Sequence, residues 1–389
     1  MQSDSARAVE DSSFIVLANG DRDSPPASGL IDYLRMHGAR ELTTVFHPLS
    51  PEDGNRHVTT VYANGELSHE RVVRLPSRPP YTYPLDLFVP PRVGRVDGWF
   101  AFNNLLCARG LVERRLHRAQ TVCYWAVDFV PDRFGAGNPM TRVYDMLDRY
   151  CCLHSDLRID LSQAALDGRD SRHGLGPDTG APRHVAPVGA WLDRVPTCPE
   201  DASERRRVVF VGHLVERMGC ATVIEAMAEL DRRGVEATLD IAGRGPVEEQ
   251  LRAAVSRSGI EDRVRFHGFI GDHRELERLL ADASVALAPY STRVESFTRF
   301  ADPSKLKAYL GAGLPILVTD VPPNAGEIGR DGGGEVVADE PVAFADAIER
   351  LLADPGEWRR RRRDALAYAQ RFDWTNIIEA ALKAAGFQP

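Results

Sequence analysis

Short apolar runs alternate with amphipathic stretches along almost the whole chain, and this alternation constrains the fold more than any other feature. Strands that take turns with helices need crossover connections, and crossovers give mainly parallel sheets covered by helices. In the first half the pattern predicts strands at Phe14–Ala18, Val45-Phe46, His57–Val61, Arg71–Leu75, Gly98–Phe102, Thr121–Val127, Leu157–Leu161 and His184–Gly189. Helices are expected from Ala27 and over Pro139–Leu153. The second half reads as strands at Val208–Val211, Ala237–Ala242, Val264–Phe266, Val285–Ala288 and Ile316–Thr319. Its helices fall at Cys220–Arg232, Val247–Ser256, Glu275–Ala281 and Ser304–Leu310, followed by two closing helices, Glu357–Gln370 and Asn376–Ala385. The expected fold class is α/β: two doubly wound, Rossmann-like domains facing each other across a cleft. Residues 1–192 form the first domain, 193–207 a polar linker with Pro196 and Pro199, and 208–373 the second domain. Residues 374–389 are a last helix free to cross back to the first domain. Doubly wound sheets bind ligands at the carboxyl ends of their strands.

Length and charge narrow the partners. A chain of 389 residues supports two or three domains. A net charge of −8 excludes a general binder of nucleic-acid polymers, which needs a basic face. No stretch approaches the length of a membrane span, and residues 1–11 have no apolar leader, so a cytoplasmic protein is expected. The six cysteines form no C-x-x-C, no Cys/His spacing suits structural zinc, and no metal site or cofactor is expected. Of the 48 basic residues only Lys305, Lys307 and Lys383 are lysines. Five consecutive arginines, Arg359–Arg363, spread around a helix and read as a solvated face.

Two stretches carry phosphate chemistry on physical grounds. The Leu239–Ala242 run enters Gly243-Arg244-Gly245-Pro246, where Gly243 and Gly245 let the backbone approach a ligand. Glu248 stands where a Rossmann fingerprint has its third glycine. Asp302-Pro303-Ser304-Lys305 opens a helix just after the Val285–Ala288 strand, with Asp302 as cap and Pro303 at the first helical position. Free N–H groups at a helix start, with Ser304 and Lys305 in the first turn, suit a diphosphate. Lys305 would neutralise its charge. An ordinary capped helix with two exposed lysines is the alternative.

These pieces belong to an ordered series. It starts at Gly212-x-Leu214-Val215-x-x-x-Gly219, passes Gly243-x-Gly245-Pro246, Gly268-Phe269, Ala288-Pro289-Tyr290 and Gly311-Ala312-Gly313-Leu314-Pro315, and closes at Phe372-Asp373-Trp374. From about Val208 to Trp374 the series resembles the nucleotide-sugar half of B-type glycosyltransferases of the "group 1", family-4-like set. The resemblance implies a hexosyltransferase-like enzyme with a nucleotide-diphosphate sugar as donor. It implies a donor site of Gly212, His213, Arg217, Gly243, Gly245, Phe269, Ser304, Lys305 and Glu327. The sequence departs from the family at the diphosphate Arg and Lys positions, here His213 and Met218, with Arg217 next door as a substitute. The family's paired glutamates fall near Phe300 and at Ala308. Glu327, after Pro322-Pro323-Asn324-Ala325-Gly326, serves either the ribose or sugar or a helix cap. Arg293 and Arg299 are further diphosphate candidates.

In the first half, Tyr124-Trp125-x-x-Asp128 resembles the aromatic-x-x-Asp stretch of a bacterial glucuronosyltransferase of this fold, whose Asp is the general base. Asp128 is therefore either the base that takes the acceptor hydroxyl's proton or a loop cap. Asn19, Gly20 and Asn103 are acceptor-site candidates, and Asn103 is alternatively a helix cap. Asp21-Arg22-Asp23 reads as turn and loop material. Expected partners are the nucleotide sugar and a small-molecule, glycan or lipid-linked acceptor. The competing readings are a non-catalytic nucleotide-sugar-binding or scaffold protein, motivated by the altered positions, and a nucleotide-sugar epimerase.

Overall fold

The computed structural model describes residues 7–20, 22, 25–50, 53–79, 83–89 and 94–389. The chain divides into two compact units, Met1–Gly189 with Trp374–Pro389, and Ala190–Asp373.

The first unit is built on an eight-stranded sheet. Its parallel part runs in the order Glu41–His47, Ser13–Asn19, Val96–Ala101, Ala119–Ala126, Leu157–Asp160 and Arg183–Val185. The central strands are apolar on both faces, as burial between helix layers requires: Ile15 and Trp99 on one face and Val16 and Phe100 on the other are at most 1% exposed. Arg56–Ala63 and Glu66–Arg74 extend the sheet as an antiparallel hairpin. Asn64 and Gly65 turn it with φ of 50° and 82°, the paired positive values that a two-residue hairpin turn requires. The helix Asn104–Arg115 packs on the sheet, and Trp99 donates its indole N–H to Leu106 O at 3.2 Å. The Gln163–His173 helix follows Leu157–Asp160 and went unmarked in the sequence pattern.

The last residues complete this unit. The helix Trp374–Ala384 lays the Trp374 indole against Gly29, where any Cβ would come within 2.8 Å of the ring. Tyr33 donates to Glu379 at 3.4 Å, and Phe387 packs edge-on to Phe14 at 5.0 Å. Phe387-Gln388 pairs with Arg7-Ala8 as a second small sheet.

The second unit has a six-stranded, all-parallel sheet. Its order is Val264–Gly268, Thr238–Ala242, Arg207–Val211, Val285–Ala288, Ile316–Val318 and Glu335–Val336. The winding reverses between Arg207–Val211 and Val285–Ala288, so the carboxyl ends of these two strands mark the ligand position. The helix Pro341–Ala353 buries Phe344, Ile348 and Leu351 against this sheet. The sequence pattern passes over it because Pro341, which reads as a breaker, opens the helix.

Residues 193–207, read as a linker, are part of the second unit instead. Cys198 and Ala202 are fully buried, Cys198 N–H donates to Ala312 O at 2.8 Å, and Ser284 donates to Ala202 O at 2.6 Å. The arginine run on Pro355–Ala369 is not simply solvated. Arg359 and Arg362 donate to the carbonyls of Glu200 and Cys198, Arg360 pairs with Glu357 and Asp364, and Arg361 bridges Glu357 and Glu335.

Candidate functional site

The site of the second unit is set by the Ser304–Gly311 helix. Tyr309 fixes it over the switch point: its hydroxyl accepts from Val211 N–H at 2.8 Å and donates to Leu287 O at 3.3 Å. The helix start differs from expectation in one respect. Pro303 is the cap residue and makes no side-chain cap bond, while the Asp302 carboxylate forms a buried ion pair with Lys307. Lys307 is thus a core cation, its ammonium over the Phe372 ring at 5.0 Å. Pro303 offers no side-chain acceptor to the first N–H groups of the helix.

Lys305 has a different environment. Its Nζ sits 4.4 Å from the Tyr290 ring centroid and 4.6 Å from that of Phe210, and 4.0 Å from Met218 Sδ. Among the described residues no carboxylate pairs with it. Burial lowers the ammonium to about 7, with only a small opposing influence from Cys220. Ring faces attract a cation weakly and do not replace an anion. Met218 contributes only its thioether. Arg217 lies over the Phe297 ring at 5.3 Å, with its Nε buried and unpartnered.

Beside this point lies a pocket of about 160 Å³, lined by Gly212, His213, Gly243, Arg244, Phe269 and Ile270 among others. The glycines are there because backbone approaches backbone. At Gly243, φ is 152° and a Cβ would fall 1.9 Å from Gly212 O; at Gly245 it would fall 2.2 Å from Leu214 O. A Cβ at Gly212 would lie 3.6 Å from Lys305 Nζ, so the lysine borders this pocket. His213 is exposed. Phe269 is 69% exposed, an aromatic face offered at the pocket with little of it covered by protein. Ser304, first in the helix, is exposed.

The structure thus gathers Gly212, His213, Gly243 and Phe269 around one pocket, with Lys305 at its border. Glu327 has protein partners: its carboxylate accepts from Tyr368 at 2.7 Å and lies 3.7 Å from Arg371. It anchors the first turn of the Ala325–Arg330 helix to the Pro355–Ala369 helix, and the helix cap is Asn324 rather than Glu327. Arg293 donates to Asp339 O at 3.3 Å.

In the first unit, Asp128 follows the Ala119–Ala126 strand and is exposed. Its carbonyl accepts from Arg169 at 3.0 Å. Arg169 is itself buried between Asp148 at 2.6 Å and Asp160 at 2.9 Å, and its guanidinium faces Phe129 at 5.4 Å. Burial alone pushes the Asp148 carboxyl up, but Arg169 and the hydrogen bonds from His173 and Tyr124 hold it below its ordinary value. The loop that carries Asp128 therefore rests on a buried ion network that no local motif announces. Asn103 caps its helix through Leu106 N–H at 2.8 Å and donates its amide to Asn19. Asn19 in turn reaches Asp86 at 3.5 Å. Both amides are occupied by the protein, and the acceptor contacts assigned to them find no support. Gly20 lines a separate cavity of about 400 Å³ with Arg22, His47 and Arg56. Asp21 and Asp23 lie outside the described residues.

Residues 205–354 match the family model described as "Glycosyl transferases group 1". That match lies wholly within the second unit. A GDP-mannose-dependent alpha-(1-6)-phosphatidylinositol dimannoside mannosyltransferase of Mycobacterium tuberculosis is 34% identical over 179 residues, 46% of this chain and 43% of that protein. An alpha-D-kanosaminyltransferase of Streptomyces kanamyceticus is 30% identical over 160 residues, 41% of this chain and 39% of that protein. The chain therefore spans less than half the length of these relatives. Among solved structures, sucrose-phosphate synthase from Thermosynechococcus elongatus superimposes with a TM-score of 0.72 at 16% identity, covering 95% of this chain and 97% of that one. Anabaena HepE in complex with UDP gives 0.69 at 16% identity, covering 95% and 98%. The B-type glycosyltransferase fold thus extends over both units, while the group 1 sequence match is confined to the domain that holds Lys305.

Proposed function

We propose that the protein transfers a sugar from a nucleotide-diphosphate donor to an acceptor hydroxyl. The observation that carries this reading is Lys305, a side chain lodged between two rings with no carboxylate partner among the described residues, beside a helix start whose cap residue offers no side-chain acceptor. A diphosphate supplies the missing negative charge. Bond breaking at the anomeric carbon develops further charge on the leaving diphosphate, and a fixed cation there favours the transition state over the bound donor. The Gly243–Gly245 turn and the Phe269 ring would hold the nucleoside, and Arg217, whose Nε has no partner, would add a second cation. The relatives include a GDP-mannose-dependent enzyme, and a neighbour of the same fold binds UDP, so both nucleotides are candidates.

On the first unit, Asp128 takes the acceptor hydroxyl's proton in an inverting course. A retaining course needs no such base. The acceptor is a small molecule, a glycan or a lipid-linked acceptor. Among the described residues no helix is long and apolar enough to cross a membrane. The decisive experiment is a panel of UDP-, GDP- and ADP-sugars, scored for protection against thermal unfolding and for release of nucleoside diphosphate. Protection by at least one nucleotide with slow hydrolysis supports the reading; no protection by any of them rejects it.

A further inference from the structure

Three buried side chains of the first unit converge at a place to which the proposed transfer assigns no role. His47 ends the Glu41–His47 strand, His57 lies in the Arg56–Ala63 strand, and Asp86 closes the short Tyr83–Asp86 helix. The antiparallel register that sets Phe46 opposite Val58 continues to bring His47 beside His57. Their Nδ1 atoms are 2.9 Å apart, and Asp86 Oδ1 lies 3.5 Å from each. All three residues are at most 1% exposed.

Protein protons do not satisfy this triangle. A single N–H can bridge the two Nδ1 atoms, and Asp86 Oδ1 then still has no donor. Buried acceptors are normally paired, so three lone pairs aimed at one point call for a cation. The size of the triangle fits one. A tetrahedral ion with bonds of about 2.0–2.1 Å has ligand-to-ligand edges of roughly 3.3–3.4 Å, and the observed edges of 2.9, 3.5 and 3.5 Å straddle that value. Two imidazoles and one carboxylate suit Zn²⁺ rather than Mg²⁺ or Ca²⁺, which prefer all-oxygen shells. The carboxylate is also oriented from behind: Asn19 donates to Asp86 Oδ2 at 3.5 Å, and Asn19 is held by Asn103. With Nδ1 as ligand, each Nε2, buried and unpartnered, takes the N–H form.

We propose that His47 Nδ1, His57 Nδ1 and Asp86 Oδ1 bind a divalent transition ion, Zn²⁺ by ligand type, with the fourth position left for a water or another small ligand. The ion ties the end of a parallel strand, the first strand of the hairpin and the Tyr83–Asp86 helix together. Its ligands all belong to the first unit, and its test does not depend on transferase activity.

The full chain, stripped with chelator and dialysed, is titrated with ZnCl₂ and separately with CoCl₂. About one Zn²⁺ per chain, a rise in Tm on adding zinc that chelator reverses, and Co²⁺ absorption of tetrahedral strength are expected. His57→Gln and Asp86→Asn should each weaken Zn²⁺ binding at least tenfold, while His69→Ala, an exposed histidine on the neighbouring strand, should bind as the natural chain does. Less than a tenth of an equivalent of zinc retained, an unchanged Tm, or His57→Gln binding zinc normally would each overturn the proposal. If the variants fail to fold, the stoichiometry and the Co²⁺ spectrum of the natural chain decide it. A pair of histidines that merely shares a proton gives neither signal.

Discussion

Replacing Lys305 by Met separates a gain in stability from a loss of function in one molecule. Methionine keeps the length of the side chain and packs well against the Phe210 and Tyr290 rings, but removes the charge. Burial carries the ammonium from 10.5 to about 7 in the folded protein. The sign follows from proton counts: between about pH 7 and pH 10.5 the unfolded chain holds a proton that the folded chain lacks, so the lysine's contribution to stability improves as pH rises. At 1.36 kcal/mol per pH unit the unfavourable contribution has a ceiling of about 5 kcal/mol near pH 6.5 and falls to roughly 2 kcal/mol by pH 9. Lys305→Met should therefore raise the Tm of the ligand-free protein, most at pH 6.5 and less at pH 9. Nucleotide affinity should move the other way. Losing a charge-assisted contact of about 1.5–3 kcal/mol weakens UDP or GDP binding roughly 10- to 150-fold. In the natural chain, binding must reprotonate Lys305 above pH 7, so Kd should climb up to about tenfold per pH unit there and stay flatter in the variant. Thermal melts and calorimetric titrations at pH 6.5, 7.5 and 9 measure both effects. A lower Tm at pH 6.5, or nucleotide affinity within twofold of the natural chain, would refute the reasoning.

The other predictions address single links in the argument. Asp128→Asn, at an exposed position, should leave Tm unchanged and lower kcat by about 10²–10⁴ if the carboxylate is the base; an unaltered kcat assigns the reaction to a course without one. Arg169→Met takes the arginine from buried Asp148, which keeps only His173, and leaves Asp160 with Arg158 alone; it should destabilise the protein by about 3–5 kcal/mol, read by urea unfolding, and a loss below 1 kcal/mol would show that the network does not carry the loop. Gly243→Ala drives a methyl into Gly212 O and should abolish nucleotide binding; retained binding would mean that the turn is free to relax.

What could be read in advance follows the range over which each signal acts. The parallel sheet of the second unit was legible because each strand and helix announces itself within a dozen residues. The place of Lys305 in the first turn of a helix was legible for the same reason, since a helix start and its first turn are adjacent in sequence. Asp302 looked like a cap, but Lys307 is one turn away and takes its carboxylate instead, a choice that burial decides. Asn103 and Glu327 were ambiguous between ligand and scaffold, and partners distant in the chain resolve both: Asn19 for the first, Tyr368 for the second. The Asp148–Arg169–Asp160 network and the His47–His57–Asp86 triangle had no local signature. Strand register and helix packing assemble them, and ligand-spacing rules do not reach across a sheet.

The return of residues Trp374–Pro389 to the first unit has a topological consequence. The second unit is an insertion within the first, entered at Ala190 and left at Asp373. These two residues form a parallel bridge, and Ala190 N–H donates to Phe372 O at 2.8 Å. Excising 190–373 would therefore give a fragment with neighbouring ends. The complementary piece, with Gly189 joined to Trp374, keeps the ring that Gly29 was shaped to receive. A stop codon at Trp374, apparently a trim of the far terminus, would instead leave the first unit without a wall.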